Sequence, residues 1–421
     1  MTMTLITTAP RGTQDLLPEN SFKNQWLEST LAKTAADFGF SEIRFPTFEH
    51  TELFNRSVGD TTDIVQKEMY TFTDKGDRSI TLKPEGTAGA VRMFVENGLF
   101  SEAQPTKMYY LYCPVFRYER PQAGRLREHH QFGVEFFGSA TPKADCEIIA
   151  LADECIRRLG VRGVSLNINS IGCPECRAEY RNALVEYFKK REDKLCKQCR
   201  ERLATNPLRV LDCKDTDCDG DVENAPVITD YLCGDCREHF EQVKALLTES
   251  GVAFSVNPRI VRGLDYYNGI VFEFISSDIG AQGTVCGGGR YDGLSAQMGG
   301  SPICGLGFGM GLERMLLLLE KQGLLPDSGN GCRVFIGSMG EAAGKEAFRI
   351  ALELRREGVA AEYDSVGRSV KAQMKYADKI NAEYTVVLGD SELESGVCRL
   401  KRMSDGETKE LAIPDLGGFF R

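Results

Sequence analysis

The chain has 421 residues, 42% of them hydrophobic and 27% charged, with a formal net charge of −10 at pH 7, so its length predicts two or three domains. The acidic balance argues against a protein that coats nucleic acid through bulk charge, while a local basic face remains open. No apolar run reaches about 18 residues and no basic stretch precedes the short apolar run at the start, so we expect a cytoplasmic protein without signal peptide, membrane span or membrane partner.

Residues 1–170 predict the first part of an α+β domain. Strand-like runs lie near residues 109–117, 132–138 and 164–170, and a helical pattern at residues 146–159 separates the last two. Because strands and helices mix without a regular βαβ alternation, we expect these elements to build an antiparallel sheet with helices packed against it.

A charged, cysteine-rich segment at residues 171–251 differs from both of its neighbours. It holds eight of the 15 cysteines, and an odd total without a secretion signal argues against a disulfide framework. Its apolar spacing is mostly helical, so we interpret it as an insertion domain within the sheet domain.

Core-like sequence resumes over residues 252–322, which we assign to the second part of the sheet domain. Strands are predicted near residues 260–267 and 270–275, followed by a glycine-rich turn at residues 287–289 and a helix at residues 312–321. A stretch rich in Gly, Pro, Ser and Asn follows as a linker.

In residues 332–421 the order of predicted strands and helices changes to a regular alternation, which predicts a separate α/β domain. Short apolar runs at residues 333–337, 360–363 and 384–388 alternate with helical patterns at residues 341–357 and 370–380. This alternation is typical of a small domain with a largely parallel sheet.

Four segments combine arginines, carboxylates and glycines, namely residues 81–87, 116–138, 262–267 and 305–314. Planar guanidinium groups match carboxylate and phosphate oxygens, and glycines let a nucleotide approach the backbone. Taken singly, an Arg–Glu mixture is usually a solvated face, and a Gly-x-Gly run without the Rossmann context is usually a packing contact or turn. Together the four segments predict a site for anionic substrates.

This combination resembles class II aminoacyl-tRNA synthetases, and histidyl-tRNA synthetases in particular. Residues 10–18 are similar to that family's N-terminal signature, residues 116–138 to class motif two and residues 305–314 to motif three. Residues 262–267 and 287–293 resemble the two histidine-specific signatures. The resemblance implies a homodimeric ligase that activates L-histidine with ATP and Mg²⁺ and charges tRNA(His), with a C-terminal anticodon-binding domain.

The resemblance also implies roles for individual residues. Arg117, Arg262 and Arg314 would be catalytic, with Arg262 stabilising charge at the α-phosphate. ATP would be bound by Arg117, Glu119, Arg125 and Arg314. The implied histidine-binding residues are Glu85, Thr87, Gln131, Glu135, Arg262, Tyr266 and Tyr267. The chemistry agrees, because a neutral imidazole has one donor and one acceptor, which the carboxylate of Glu135 and the phenol of Tyr267 can satisfy.

Two segments are candidates for contact with tRNA. The resemblance implies that the motif-two loop, with Gln122, Arg125 and Arg127, meets the acceptor end of tRNA, and arginines there suit phosphate contacts. In the last domain, helical spacing predicts a basic stripe of Arg368, Lys371, Lys375 and Lys379. A solvated face is the alternative, but the family's anticodon-binding domain favours tRNA contact by Lys371 and Lys375.

The insertion cysteines go beyond the resemblance. They form the Cys-x-x-Cys pairs Cys173/Cys176, Cys196/Cys199 and Cys233/Cys236, with Cys213 and Cys218 more widely spaced. Eight thiolates would complete two tetrahedral structural zinc sites. The simplest grouping is Cys173/Cys176/Cys196/Cys199 and Cys213/Cys218/Cys233/Cys236. Crossed pairings are equally open, His239 could replace one cysteine, and free thiols or a redox-sensitive cluster are the alternatives without metal.

A rival interpretation is the catalytically inactive, synthetase-like regulatory subunit of ATP phosphoribosyltransferase. Proteins of that kind usually lose the signature at residues 262–267 and the C-terminal domain. Both are present here, and Arg117, Arg262 and Arg314 are retained. A cysteine-rich regulatory or nucleic-acid-binding protein would leave the arginines unexplained, so the ligase is the prediction.

Overall fold

The computed structural model of the chain describes residues 7–59, 62–211, 213, 215, 218, 221–260, 263–280, 283–327 and 331–420. The chain divides into two compact units, Met1–Leu325 and Pro326–Arg421. Across the described residues, no helix is both long and apolar enough to cross a membrane.

The first unit is built on two sheets. Its strands are β1 (Ser41–Glu42), β2 (Phe48–His50), β3 (Tyr70–Thr73), β4 (Ser79–Leu82), β5 (Thr106–Phe116), β6 (Glu128–Phe137), β7 (Val164–Ser170), β8 (Ser255–Val256), β9 (Asn268–Ser276), β10 (Thr284–Arg290) and β11 (Gly305–Gly311). The large sheet has the order β1-β5-β6-β11-β10-β9-β7-β8, and the small one β2-β4-β3. Within the described part of this sheet, only the short edge strands β1 and β8 pair in parallel, so the predicted antiparallel sheet is confirmed.

Two predictions for this sheet are wrong. The glycine-rich turn expected at residues 287–289 lies inside β10, and the strand expected at residues 260–267 is irregular in its described part, because β9 begins only at Asn268. Glycine weakens a strand on its own. Here β9 and β11 flank β10 and complete its hydrogen-bond ladder on both sides, so tertiary pairing overrides the local preference.

The helices of the first unit pack on both faces of the large sheet. They are α1 (Pro18–Asp37), α2 (Thr51–Val58), α3 (Thr87–Glu96), α4 (Pro142–Arg158), α5 (Pro174–Lys189), α6 (Lys197–Thr205), α7 (Gly234–Glu249), α8 (Leu294–Gln297) and α9 (Leu312–Lys321). Helices α1, α4 and α9 lie on one face, and α3 and α8 on the other. Proline opens α1, α4 and α5, where its fixed φ suits the first turn. Leu31 of α1, Ile148 of α4 and Leu318 of α9 share one buried cluster with Phe132 and Val134 of β6.

The insertion is mostly helical, as predicted. Helices α5, α6 and α7 are joined by short 3₁₀ turns, including Glu192–Lys194 and Ile228–Tyr231. Tyr180, Leu184 and Phe240 are buried and belong to the same apolar cluster as the sheet domain. The insertion therefore shares an apolar core with the sheet domain, and α7 lies against α4.

The second unit has its own sheet and core. Its strands are β12 (Val334–Ser338), β13 (Ala361–Tyr363), β14 (Tyr384–Leu388), β15 (Val397–Arg402) and β16 (Thr408–Ala412). Its helices are α10 (Glu341–Arg356), α11 (Val370–Lys379), α12 (Asp390–Ser395) and α13 (Leu416–Phe419). The order is β13-β12-β14-β15-β16. The first three strands are parallel, as predicted, while β15 and β16 add an antiparallel extension.

Candidate functional site

Strand β11 alternates glycine with bulky apolar residues, and this alternation separates the two faces of the sheet. Gly307, Gly309 and Gly311 lie opposite Glu135, Gly133 and Gln131 of β6, and cross-strand partners share a face. The intervening Leu306, Phe308 and Met310 are buried in the core on the other face. The glycines therefore leave an open floor beside the polar side chains of β6.

A polar cleft lies on this floor. It is lined by the predicted ATP-binding residues and Gln131, together with backbone at three glycines: Arg117, Glu119, Arg125, Gln131, Gly287, Gly309, Gly311 and Arg314. Arg117 follows β5 directly and Arg314 lies in the first turn of α9. The fold thus brings residues nearly 200 positions apart to the two sides of one cleft.

Both arginines are oriented by backbone carbonyls. Arg117 donates from Nε to Pro84 O over 2.8 Å, and Arg314 donates to Gly124 O over 2.9 Å and to Thr284 O over 2.8 Å. Burial lowers the pKa of Arg314, and the positive charges of Arg125 and Arg117 lower it further. An anion bound in the cleft would relieve this repulsion.

His129 shares the cleft without adding charge. Burial lowers its pKa to about 3, and Arg117 and Arg314 add to the effect. The imidazole is therefore neutral at physiological pH, so the positive charge in the cleft belongs to the arginines.

The loop between β5 and β6 holds the other candidates for ATP and tRNA contact. Glu119 and Arg125 form an ion pair with each other. Gln122 and Arg125 exchange backbone hydrogen bonds in a tight turn. Arg127 donates to Glu119 O over 3.1 Å, and its guanidinium lies 4.0 Å from the centre of the Tyr118 ring.

The carboxyl of Glu135 is enclosed by other side chains on the same face of the sheet. This side chain is fully buried. It accepts hydrogen bonds from the Tyr110 hydroxyl over 3.1 Å and from the Tyr291 hydroxyl. Burial raises the pKa of Glu135 to about 8, while hydrogen bonds from Tyr291 and Thr87 oppose the rise. The group therefore titrates close to physiological pH, which is typical of functional carboxyls.

A second buried carboxyl lies on the same side of the sheet. Glu85 accepts backbone N–H bonds from Thr87 over 2.8 Å and Ala88 over 2.7 Å at the start of α3, and Tyr266 donates to it over 3.4 Å. Burial raises its pKa and the two N–H bonds oppose this. The rings of Tyr266 and Tyr267 are 4.7 Å apart. Five of the predicted histidine-binding residues therefore lie together: Glu85, Thr87, Glu135, Tyr266 and Tyr267.

Glycines make room for the two tyrosines that hold Glu135. A Cβ at Gly133 would overlap the Tyr110 ring, and one at Gly305 would overlap the Tyr291 ring. Neither tyrosine is among the sequence-predicted site residues. Tyr291 lies within the signature at residues 287–293, which is a signal for it, whereas Tyr110 is recognisable only once β5 and β6 are paired.

The remaining predictions fall in three places. Arg262 lies outside the described residues, next to residues 263–267, which are described. On α11, Lys371, Lys375 and Lys379 are exposed, while Gln373 and Ala377 are buried. Arg368 is instead engaged by Asp364 at 2.8 Å and by the Tyr376 ring.

The eight cysteines of the insertion form two clusters. In the α5/α7 cluster, Cys173, Cys176, Cys233 and Cys236 come together, and in the α6 cluster, Cys196, Cys199, Cys213 and Cys218 do so. Within each cluster the sulfur atoms all lie within 4.8 Å of one another. The simplest grouping from sequence is therefore wrong and a crossed pairing is found, because the N-terminal ends of α5 and α7 meet. His239 contacts Asp145 at 2.7 Å and belongs to neither cluster.

Comparison with known proteins agrees with these observations. The histidyl-tRNA synthetase family model matches residues 12–315, and an anticodon binding domain model matches residues 333–421. The histidine–tRNA ligases of Acetivibrio thermocellus and Caldanaerobacter subterraneus subsp. tengcongensis are 53% and 54% identical over 412 residues, covering 98% of this chain and 99% of each relative. The crystal structure of apo S. aureus histidyl-tRNA synthetase superposes with a TM-score of 0.85 at 38% identity, covering 99% of this chain and 100% of that one. The chain therefore belongs to the histidyl-tRNA synthetase family.

Proposed function

We propose that this protein is a histidine–tRNA ligase, which activates L-histidine with ATP and transfers it to tRNA(His). The observation that carries the proposal is that one face of the sheet holds both the buried carboxyl of Glu135, opposite Gly307, and the cleft of Arg117 and Arg314, which Gln131 and Gly311 also line. One sheet face thus offers buried carboxyl and phenol groups for an amino-acid substrate and a cationic cleft for phosphates.

In the first step, a carboxylate oxygen of histidine attacks the α-phosphorus of ATP and pyrophosphate leaves. ATP enters as its Mg²⁺ complex. Arg117 would hold the carboxylate and the α-phosphate, which otherwise repel each other, and Arg314 would hold the far end of the nucleotide with Arg125 and Glu119. Fixed guanidinium groups stabilise the transition-state charge without reorganising. We assign to Arg262 the charge stabilisation at the α-phosphate that the family resemblance implies.

Selection of histidine is assigned to the buried residues around Glu135. Glu135 and Tyr267 would meet the two imidazole nitrogens, while Glu85, Thr87 and Gln131 would receive the α-ammonium, with Tyr266 supporting Glu85. An amino acid that lacks the imidazole would leave buried polar groups unpaired, which is costly and therefore selective.

In the second step, the terminal ribose hydroxyl of tRNA attacks the histidyl carbonyl and AMP leaves. We assign the acceptor end to the loop with Gln122, Arg125 and Arg127, and the anticodon end to Lys371 and Lys375. A homodimer, which the family resemblance implies, and a cytoplasmic location are further parts of the proposal.

The test is ATP–pyrophosphate exchange measured with each amino acid in turn. We expect exchange with histidine alone. Exchange with a different amino acid would overturn the specificity assignment. Absence of exchange with every amino acid would favour the regulatory subunit of ATP phosphoribosyltransferase instead.

A further inference from the structure

We propose that the insertion binds two zinc ions, each through four cysteine thiolates, and that the two sites interleave along the chain. The α5/α7 cluster forms one site from the first and last cysteine pairs. The α6 cluster forms the other from the four cysteines between them. The eight thiols take no part in the reaction proposed above, and among the described residues these are the two groups with the geometry of a metal site.

The sulfur spacing fits a tetrahedral zinc site. With Zn–S bonds of about 2.3 Å, the sulfurs of a tetrahedron lie about 3.8 Å apart. Cys173 Sγ and Cys176 Sγ are 3.5 Å apart, and Cys196 Sγ and Cys213 Sγ are 3.9 Å apart. All of these cysteines are free thiols.

Backbone N–H groups point at the sulfurs, which favours thiolates as ligands. Cys233 N donates to Cys176 Sγ over 3.1 Å, and Cys196 N donates to Cys218 Sγ over 3.3 Å. Cys199 N donates to Cys196 Sγ over 3.4 Å. Hydrogen bonds between one cysteine's backbone and another's sulfur orient the ligands, as supporting contacts around metal sites do.

Helix N-termini add to this effect. Cys173, Cys196 and Cys233 are the N-cap residues of α5, α6 and α7. The positive end of each helix dipole therefore lies at a cluster, where it stabilises negative sulfur. Two such helix ends converge at the α5/α7 cluster, so two positive dipole ends lie beside its four sulfurs.

The burial and clustering of the sulfurs also indicate ligands of a structural metal and not cysteines packed singly as apolar residues. Cys176 and Cys199 are 2% and 0% exposed, while the other six are partly exposed. A free cysteine usually packs as a small apolar residue. Here four sulfurs face one another in each cluster instead, which is the arrangement that a shared ion requires.

Both clusters are connected to the loop that carries Tyr266 and Tyr267. Arg177, one residue after Cys176, donates to Tyr267 O over 3.0 Å. Arg209, between the cysteine pairs of the α6 cluster, donates to Gly263 O over 2.7 Å and lies 3.7 Å from Asp265. If the proposed function holds, the zinc ions position this loop for histidine.

The first test is elemental analysis and sulfur-shell X-ray absorption of the full chain purified without chelator. We expect two zinc ions per chain, each with four sulfur neighbours at about 2.3 Å. Metal-free protein with reduced thiols and an ordered insertion, or protein with these cysteines as disulfides, would overturn the proposal. Neither readout depends on enzymatic activity, so failure here is separate from failure of the proposed function.

The second test determines the grouping. Replacing Cys173, Cys176, Cys233 and Cys236 together with Ser should leave one zinc. Replacing Cys173, Cys176, Cys196 and Cys199 together should halve both sites and leave none. If the cysteines were instead grouped in chain order, the second variant would lose one site completely and keep the other intact. One zinc remaining in that variant would therefore overturn the interleaved grouping. Cys332→Ser, in the second unit, is the matched control and should keep two.

A measurement on the unaltered chain guards against variants that fail to fold. During stepwise removal of zinc by a chelator, alkylation of each cysteine is followed by mass spectrometry. We expect Cys173, Cys176, Cys233 and Cys236 to become reactive together, and the other four together. Joint exposure of Cys173 and Cys176 with Cys196 and Cys199 would contradict the interleaved sites.

Discussion

The hydroxyl of Tyr291 donates a hydrogen bond to Oε2 of Glu135, whose side chain is fully buried. Glu135 lies on β6 and Tyr291 directly follows β10, and β11 runs between these two strands in the sheet. This bond favours the ionised carboxylate against the burial that raises its pKa to about 8.

We therefore expect Tyr291→Phe to raise the pKa of Glu135 further. Above its pKa the carboxyl is ionised and can accept an imidazole N–H, so wild-type affinity for histidine should increase as pH rises through about 8. In the variant this increase should move to higher pH. A lost hydrogen bond to a charged group is worth about 1.5–3 kcal/mol, so the KM for histidine at pH 7 should rise at least about tenfold.

The measurement is the KM for histidine in pyrophosphate exchange from pH 6.5 to 9.5. The side chain of free histidine has a pKa near 6.5, and its titration affects the wild-type and variant assays equally. The ratio of the two KM values at each pH therefore reports the enzyme's own titration. Tyr376→Phe in the second unit is the control. A pH-independent ratio would show that Tyr291 does not tune Glu135.

Arg117→Ala should suppress adenylate formation. Loss of one preorganised donor to a developing charge typically costs about 10²–10³ in rate. Arg117→Lys should recover only part of it, because an ammonium lacks the planar fork that grips two oxygens. Single-turnover formation of histidyl-adenylate measures both. Arg120 is exposed on the same loop, so Arg120→Ala should keep the wild-type rate; equal rates for Arg117→Ala would remove Arg117 from the mechanism.

The glycine floor predicts different outcomes for two similar substitutions. A Cβ at Gly309 would lie 3.6 Å from Gln131, which is an ordinary contact, whereas a Cβ at Gly307 would overlap the backbone of Val134. Gly309→Ala should fold normally and raise the KM for ATP by about tenfold, a change of about 1.4 kcal/mol. Gly307→Ala should lower the Tm, since overpacking costs about 1–3 kcal/mol. Thermal melting with ATP kinetics tests the pair, and an unchanged KM in Gly309→Ala would place the nucleotide elsewhere.

The exposed lysines of α11 predict salt-dependent contact with tRNA. Lys371→Glu and Lys375→Glu should each weaken tRNA binding. Each should also reduce the slope of log affinity against log salt concentration by about one for a lost phosphate contact. Histidine-dependent exchange should not change, because the adenylation residues lie in the other unit. Lys345 on α10 is also exposed and serves as the charge-matched control. Equal tRNA affinity in all three variants would show that the basic stripe is a solvent-exposed face that does not contact tRNA.

Arg177 connects the α5/α7 cluster to the histidine pocket, and we expect it to be a positioning residue. Arg177→Ala removes the bond to Tyr267 O and should raise the KM for histidine several-fold with little change in kcat. The zinc content should stay at two per chain. Lys189→Ala, exposed on the same helix, is the control. A fall in kcat without a change in KM would contradict a role in positioning histidine.

The sequence by itself determined which residues are available for the chemistry. Arg117, Glu135 and Arg314 stand in segments whose residue types and spacing indicate the family. Elements with regular apolar spacing, such as α9 in the first unit and β14 in the second, were predicted correctly. It failed at β10, because a glycine-rich strand has no local preference for extended structure and forms only between two neighbours.

Only the tertiary structure decided the environments of these residues. The pKa of Glu135 depends on burial and on Tyr110 and Tyr291, which approach it across strand pairs, and no local pattern encodes that distance. The cysteine grouping has the same origin: Cys233 donates to Cys176 across 57 positions of chain. Spacing can show that two cysteines share a turn, but which turns meet is set by the packing of the helices that carry them.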